Sequence, residues 1–330
     1  MLSDEAAVTS EGSILLAKNV VCDGYALNRQ VGVVTHFHSD HTRQLPNALR
    51  YCSTVLVTHA CRELLILTQG ENLPPQLNKL KNLPYAYKEK FDSERITLLP
   101  AKHVLGAAQV LGETEDSRRL LYSGDFLVPG TLPPEVDLLV TEATYGSPYT
   151  SRLYSRDTVL NQLGALIRLL LRSGPVSLIS YQGKLQEVMN SLFEQEIDAP
   201  FLAPPHVYDV AQIYRQYGIE VGDCIMLDTE EAQEAEKDPH VIFLTRNQDI
   251  PRASSRIYIS GKCLVPYRKL NAGCYIVGLS THADFNGLLW YIEKSKAKQV
   301  VVDGARHPGA SLFSHLIEKK LGVDCVVTPR

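Results

Sequence analysis

The sequence of 330 residues contains no apolar run near the ~18 residues that a membrane span requires, so no membrane-spanning helix is expected. Its seven cysteines (Cys22, Cys52, Cys61, Cys224, Cys263, Cys274 and Cys325) are odd in number, and none belongs to a C-x-x-C pair. A disulfide framework is thereby excluded, and a reduced, cytoplasmic (intracellular) protein is expected, with the thiols as small core residues. There is no cationic excess: 33 Lys and Arg stand against 37 Asp and Glu, a formal net charge of -4. Any nucleic-acid partner must then be held by a local patch. Glycine-rich phosphate loops of the Walker or dinucleotide type are missing. No cysteine has an activating motif beside it, which leaves covalent thiol chemistry without a carrier. The opening residues, MLSDEAAVTSEGS, are acidic and polar, the reverse of a secretory or transit leader. Low-complexity linkers and internal repeats are absent as well. What remains is ordinary globular composition, 45% hydrophobic and 21% charged, on a chain long enough for two packed units or one unit with a large insertion.

Over the first 150 residues short Val-, Ile- and Leu-rich runs alternate with Gly, Asp and Asn turns. Strands are expected at 13–16, 20–22, 31–35, 51–58, 95–99, 109–113, 120–124 and 138–141, and one helix at 60–68. So many strands with so few helices suggest packed sheets. Beyond residue 150 helices (159–171, after Gly183, 208–217) alternate with strands (176–181, 200–202), which argues for a small α/β unit with a parallel sheet. Six acids in residues 228–238 read as a solvated face. The last 59 residues read strand (274–279), helix (286–295), strand (299–303), helix (310–320), strand (324–328).

The strongest chemical signal is Val31-Gly-Val-Val-Thr-His36-Phe-His38-Ser-Asp40-His41. Residues two apart at the end of a strand point the same way, so His36 and His38 can grip one cation, and the turn aims Asp40 and His41 at a neighbouring position. Three further residues have suitable types. His103 stands among small residues in Ala101-Lys-His-Val-Leu-Gly-Ala-Ala, Asp125 ends a strand in Tyr122-Ser-Gly-Asp, and His282 lies at a strand mouth in Leu279-Ser-Thr-His-Ala-Asp. The two oxygens of Asp125 allow it to bridge two cations.

H-x-H-x-D-H, then a lone histidine with G-A-A, then S-G-D, resembles the metallo-β-lactamase superfamily. Thr141-Glu142-Ala-Thr-Tyr-Gly, Ser180-Tyr-Gln-Gly183-Lys184-Leu-Gln-Glu187 and Leu279-Ser-Thr-His282-Ala-Asp are similar to its β-CASP branch of nucleases. The phrases around His103 and Glu142 lean toward ligase-associated DNA exonucleases within that branch. The resemblance covers nearly the whole chain. It implies an α/β fold: an αββα sandwich (residues 1–150 and 272–330) interrupted by an α/β β-CASP domain at 151–271, with the active site in the cleft between them. It implies two divalent ions, zinc foremost and manganese or magnesium as options at the second position. His36, His38 and His103 would hold the first, Asp40 and His41 the second, and Asp125 would bridge. Asp23 would brace the metal loop from behind. His282 would act as general acid, and Glu142 and Asp40 would orient histidines or the nucleophile. In RNA-processing members the strand after His282 carries a further histidine ligand, whereas here Asp303 stands in its place in Val302-Asp303-Gly304-Ala-Arg306-His307. Asp303 or His307 is therefore the expected completion of the second site, with an altered metal preference.

Two cations roughly 3.5–4 Å apart can lower the pKa of a shared water and clamp a phosphodiester. Cationic grips for such a substrate are expected from Lys184 at a helix start and from the run 252–269, which holds Arg252, Arg256, Lys262, Arg268 and Lys269 with two tyrosines and no acid. The expected function is a metal-dependent nuclease, foremost a DNA exonuclease working from the 5′ end. An RNA-processing nuclease is the alternative, and a small-substrate metallohydrolase or a non-catalytic nucleic-acid-binding subunit are more distant ones.

Overall fold

The computed structural model describes residues 6–245 and 254–329, and the chain divides into two compact units, Met1–Ser151 with His282–Arg330 and Arg152–Thr281. In the first unit β1 (Ala6–Val8), β2 (Ile14–Leu16), β3 (Val20–Cys22) and β4 (Val31–Val33) lead through two short helices, α1 (Ser39–Thr42) and α2 (Leu45–Tyr51), to β5 (Thr54–Val57). Helix α3 (His59–Gln69) and β6 (Leu80–Asn82) follow, completing a six-stranded sheet in sequence order. The Thr58 hydroxyl caps α3 by accepting from Cys61 N at 3.3 Å. A second sheet begins with β7 (Lys88–Phe91), β8 (Glu94–Pro100), β9 (Ala108–Glu113), β10 (Arg119–Tyr122) and β11 (Leu138–Thr141).

The inserted unit runs α4 (Arg156–Leu171), β12 (Val176–Ile179), α5 (Lys184–Glu194), β13 (Phe201–Ala203), α6 (Pro205–Gln216), β14 (Cys224–Met226), α7 (Glu230–Ala235), β15 (Val241–Leu244), β16 (Ser255–Ile259), β17 (Tyr267–Asn271) and β18 (Cys274–Val277). Its strands form one sheet in the order β14-β13-β15-β12-β16-β18-β17, parallel except for the β17–β18 pair. Central strands β12, β13 and β15 are buried along their whole length, as parallel strands covered on both faces must be. The acidic stretch forms α7, whose Ala232 packs inward while its acids stay largely exposed.

The chain re-enters the first unit with α8 (Phe285–Ser295), β19 (Gln299–Asp303), α9 (Ala310–Leu321) and β20 (Asp324–Thr328), giving the second sheet the order β20-β19-β11-β10-β9-β8-β7. The return therefore comes at His282, not at residue 272: β18 pairs with β16 and β17 and so belongs to the inserted sheet. Between the two sheets of the first unit lies one apolar core, drawn from Ile14, Leu16, Val20, Val31 and Val33 on one side and Leu98, Val110, Leu120, Tyr122, Val140 and Val301 on the other. Each such fully buried aliphatic contributes ~1.5–3 kcal/mol over the exposed state. Helices α2 and α3 lie against β5 and β6, and α9 against β19 and β20, so helix, sheet, sheet and helix follow as layers. Among the described residues no helix is long and apolar enough to cross a membrane.

Candidate metal centre

The donors sit where strands of the two sheets end. After β4 the chain stays extended through His38 and turns at once into α1, where His41 N and Thr42 Oγ1 both donate to the His38 carbonyl, at 3.0 and 3.1 Å. That single helical turn swings Asp40 and His41 away from the His36–His38 direction. His103 lies in the turn between β8 and β9. Gly106 closes it at φ +78°, and a β-carbon there would sit 2.5 Å from the Cys61 nitrogen, so only glycine fits. Asp125 follows β10 through Gly124 (φ +55°), where a β-carbon would lie 2.8 Å from the Ala108 carbonyl. Glu142 directly follows β11. His282 is held nearby because Ala283 N donates to the Phe126 carbonyl at 2.6 Å and Phe126 N donates to Glu142 Oε1 at 3.1 Å.

These residues converge on Asp125 Oδ2. His41 Nε2 is 3.3 Å from it, His36 Nε2 and His103 Nε2 are each 3.7 Å away, and His282 Nε2 is 3.8 Å away. His103 Nε2 also lies 3.1 Å from His38 Nδ1, and His41 Nε2 lies 3.6 Å from Asp40 Oδ2. Three sets offer ligand atoms within 4.8 Å of one another: His36, His38 and His103; His36, His41 and Asp125; His103, Asp125 and His282. Asp40, Asp303 and His307 belong to none of the three.

The hydrogen bonds behind the ring fix which imidazole nitrogen faces inward. Asp23, buried with φ +49°, accepts from Thr35 N (2.8 Å) on Oδ1, and from Thr35 Oγ1 (2.6 Å), His41 Nδ1 (2.7 Å) and Tyr122 OH (3.0 Å) on Oδ2. The Thr35 hydroxyl spends its proton on Asp23, so at 3.1 Å it accepts from His36 Nδ1–H, leaving a lone pair on His36 Nε2. That nitrogen is buried and has no hydrogen-bond partner. Glu142 accepts from His282 Nδ1 with both oxygens at 3.1 Å, and the Thr144 hydroxyl stands 3.2 Å from the same nitrogen. His282 Nε2 is thus also turned toward Asp125.

Burial, reinforced by His41, His103 and His38, pushes the His36 pKa well below its ordinary value, so this imidazole is neutral. Burial opposes charging of His41 too, but Asp125 and Asp23 outweigh it and raise its pKa well above the usual range. For Asp125 burial favours the acid form, yet His41, His282 and His103 hold the carboxyl well below the ordinary carboxylate range. An orphaned imidazole nitrogen beside an ionised carboxylate and three more imidazoles is a donor set that fits divalent transition metals.

Asp303 is engaged elsewhere. Its Oδ1 accepts from Ala305 N (2.9 Å) and Arg306 N (3.2 Å), and its Oδ2 pairs with Arg306 Nη1 at 2.7 Å. Arg306, Tyr122, Thr35 and Thr144 carry no expected role from the sequence. For Arg306 a signal existed, an Asp and an Arg three residues apart around a glycine. For the other three none did, because their partners lie far along the chain.

In the inserted unit Lys184 opens α5 after Gly183 (φ +85°) and is buried. Burial, together with nearby Arg156 and Arg152 and against the pull of Glu187, lowers its pKa to about 8. Arg256, Lys262, Arg268 and Lys269 are exposed, whereas Arg252 lies outside the described residues. The basic run is not one surface. Tyr258 on β16 and Arg268 on β17 both pair with Ile276 of β18, so Arg256, Tyr258 and Arg268 share one face of the sheet, and Lys269 takes the other, its Nζ 5.9 Å from the Tyr275 ring centre.

No family model matches the sequence. The chain is 36% identical over 139 residues to an uncharacterised protein of Acidianus ambivalens described as lying in the lig 3′ region, covering 42% of this chain and 99% of that protein. It is 24% identical over 373 aligned residues to an RNase J-like protein of Methanocaldococcus jannaschii, covering 90% of this chain and 86% of that one. Similarity to a probable DNA ligase of Opitutus terrae is 26% over 303 residues, 87% of this chain but only 28% of that protein's length. A crystal structure of a protein of unknown function from Enterococcus faecalis superposes with a TM-score of 0.63 at 15% identity, over 93% of this chain and 81% of that one, which speaks to the fold alone. The chain belongs to the β-CASP branch of the metallo-β-lactamase superfamily of metal-dependent hydrolases.

Proposed function

We propose that this protein is a metal-dependent nuclease that hydrolyses phosphodiester bonds, a DNA exonuclease acting from the 5′ end, with residues 152–281 as its β-CASP insertion. The observation that carries the reading is the convergence of four imidazole Nε2 atoms on one carboxylate oxygen at 3.3–3.8 Å. His36, His38 and His103 would hold one cation, zinc by the chemistry of three imidazoles. Asp40 and His41 would hold a second, and Asp125 would serve both. Such a pair of cations, when bound, supplies a lowered water pKa and charge neutralisation for in-line attack at phosphorus.

The chain's own residues do the rest. Asp23 anchors His41 by Nδ1, keeping Nε2 inward. Asp40, with its side chain 57% exposed, stands where it can orient the attacking water. Glu142 fixes the His282 ring, and the His282 side chain, 22% exposed against 0–2% for His36, His41 and His103, is the imidazole best able to hand a proton to the leaving alkoxide. Lys184, Arg256, Lys262, Arg268 and Lys269 are the proposed phosphate contacts, with Tyr258 a surface on which a base can stack. Seven unpaired cysteines support a reducing, intracellular setting.

DNA as substrate is favoured by the descriptions of the Acidianus and Opitutus relatives, RNA processing by that of the RNase J-like protein. A product-length time course on matched 5′- and 3′-labelled DNA and RNA, with zinc, manganese and magnesium compared, tests the reading. Mononucleotides released first from the 5′ end of DNA are expected. His38→Ala and Asp40→Ala are each expected to abolish hydrolysis with the fold retained by circular dichroism, and unchanged turnover in either refutes the assignment.

A further inference from the structure

We propose that Asp303 is not a ligand of the second cation but one half of a strap, and that Arg306, the other half, is a positioning residue for the second-site donors Asp40 and His41. The inference rests on the two-cation reading above and concerns how this chain builds its second site without a ligand from β19.

The Asp303 carboxylate is 2% exposed and is committed to three donors, the backbone N–H groups of Ala305 and Arg306 and the Arg306 guanidinium. The guanidinium spends its remaining reach on two carbonyls: Nη2 donates to Asp23 O at 3.3 Å and Nε to Asp40 O at 3.4 Å. Both belong to segments that deliver the second site. Asp40 is itself a donor, and Asp23 holds His41 by Nδ1 at 2.7 Å. Gly12 makes room for the group, since a β-carbon there would lie 3.3 Å from Arg306 Cζ, and its φ of +84° favours glycine independently. One planar fork thereby ties the end of β19 to the segments after β3 and at α1, hundreds of residues away in sequence. A lysine, with a single point of charge, cannot span these directions at once. The second site is left with Asp40, His41 and Asp125, and their geometry depends on the strap.

The test is calorimetric titration of Mn²⁺ into protein already holding one equivalent of Zn²⁺, with the Mn²⁺ electron-resonance spectrum recorded at each step. Wild type is compared with Arg306→Ala, Arg306→Lys, Asp303→Ala and the double alanine variant. Second-site affinity is expected to fall about 10–100-fold in both single alanine variants. The double variant should fall no further, because all three remove the same buttress. Arg306→Lys should lie between, with a broadened manganese spectrum, and first-site zinc should stay stoichiometric throughout. Affinity that is unchanged or tighter in Arg306→Ala, with loss only when Asp303 is removed, overturns the strap and makes the carboxylate a ligand. Additive losses in the double variant overturn it too, as does wild type that takes no second cation. Failure of wild type to retain zinc would instead sink the metal-centre reading. Should the alanine variants fail to fold, Arg306→Lys decides alone: wild-type affinity and spectrum would refute the strap.

Discussion

Replacing Asp23 by Asn changes charge and acceptor count while keeping size, and asparagine tolerates the left-handed backbone (φ +49°) as well as aspartate does. The carboxylate accepts four hydrogen bonds, one on Oδ1 and three on Oδ2. An amide keeps one oxygen for Thr35 N and presents an NH₂ group to Thr35 Oγ1, Tyr122 OH and His41 Nδ1. Each hydrogen bond to a charged partner is worth ~1.5–3 kcal/mol. The two hydroxyls can turn to accept and recover part of the loss, but His41 loses one of the two buried carboxylates that support its charge, and breaking a buried pair typically costs about 3–5 kcal/mol. A net destabilisation of about 3–5 kcal/mol is therefore expected for Asp23→Asn, read from urea unfolding of the metal-free protein near pH 7. A loss below about 1 kcal/mol would mean that this carboxylate does not hold the site together, and the account of how the ring is oriented would fail with it.

Three other outcomes follow from the geometry. Lys184, with its pKa lowered from 10.5 to about 8, is penalised when charged; below pH 8 the whole penalty, about 3 kcal/mol, stands, and it is relieved as pH rises toward 10.5 because the unfolded chain then holds the extra proton. Lys184→Met should accordingly be more stable than wild type by roughly that amount at pH 7, with the gap closing by pH 10.5; a gap independent of pH refutes the burial argument. Arg256→Gln with Arg268→Gln, on one sheet face, should lower the slope of log affinity against log salt for a single strand by about 1.4, roughly 0.7 per phosphate contact, as measured by fluorescence anisotropy; an unchanged slope removes these side chains from the binding face. Chelation of metal should lower the thermal midpoint of the zinc-loaded protein by several degrees and leave far-ultraviolet dichroism intact, since the ring is preformed by Asp23, Thr35 and Glu142; a metal-free protein that has lost its secondary structure contradicts this.

What could be read from the sequence was local. The strands Val20–Cys22, Leu138–Thr141, Gln299–Asp303 and Asp324–Thr328 coincide with their expected windows because each is an apolar, mostly β-branched run closed by a turn. Strand Lys88–Phe91 was invisible: K-E-K-F carries no apolar alternation and is fixed only by pairing with Glu94–Pro100. Tyr267–Asn271 looks in the sequence like part of a basic run because it is an exposed edge strand whose partner, not its composition, makes it β. Helix Leu45–Tyr51 lies where the sequence suggests none, and its last residue falls in the expected strand 51–58, although Pro46 stands where a helix start accepts it. The donors His36, His38, Asp40 and His41 were legible as one phrase. That His103, Asp125 and His282 would meet them could be reached only through family resemblance, since their approach is made by two sheets pairing across the chain. Asp303 pairs with Arg306 three residues on, a contact that the Asp-Gly-Ala-Arg spacing permits but does not fix.

His282 reaches the ring only after the 130 residues from Arg152 to Thr281 have been laid down, and β19 must then slot between β11 and β20. A chain emerging from the ribosome carries His36, His38, His41, His103 and Asp125 long before it carries the imidazole proposed to release the product. On the proposed function the complete ring therefore forms only after the inserted unit has been made, its general acid being the last of these side chains to be synthesised.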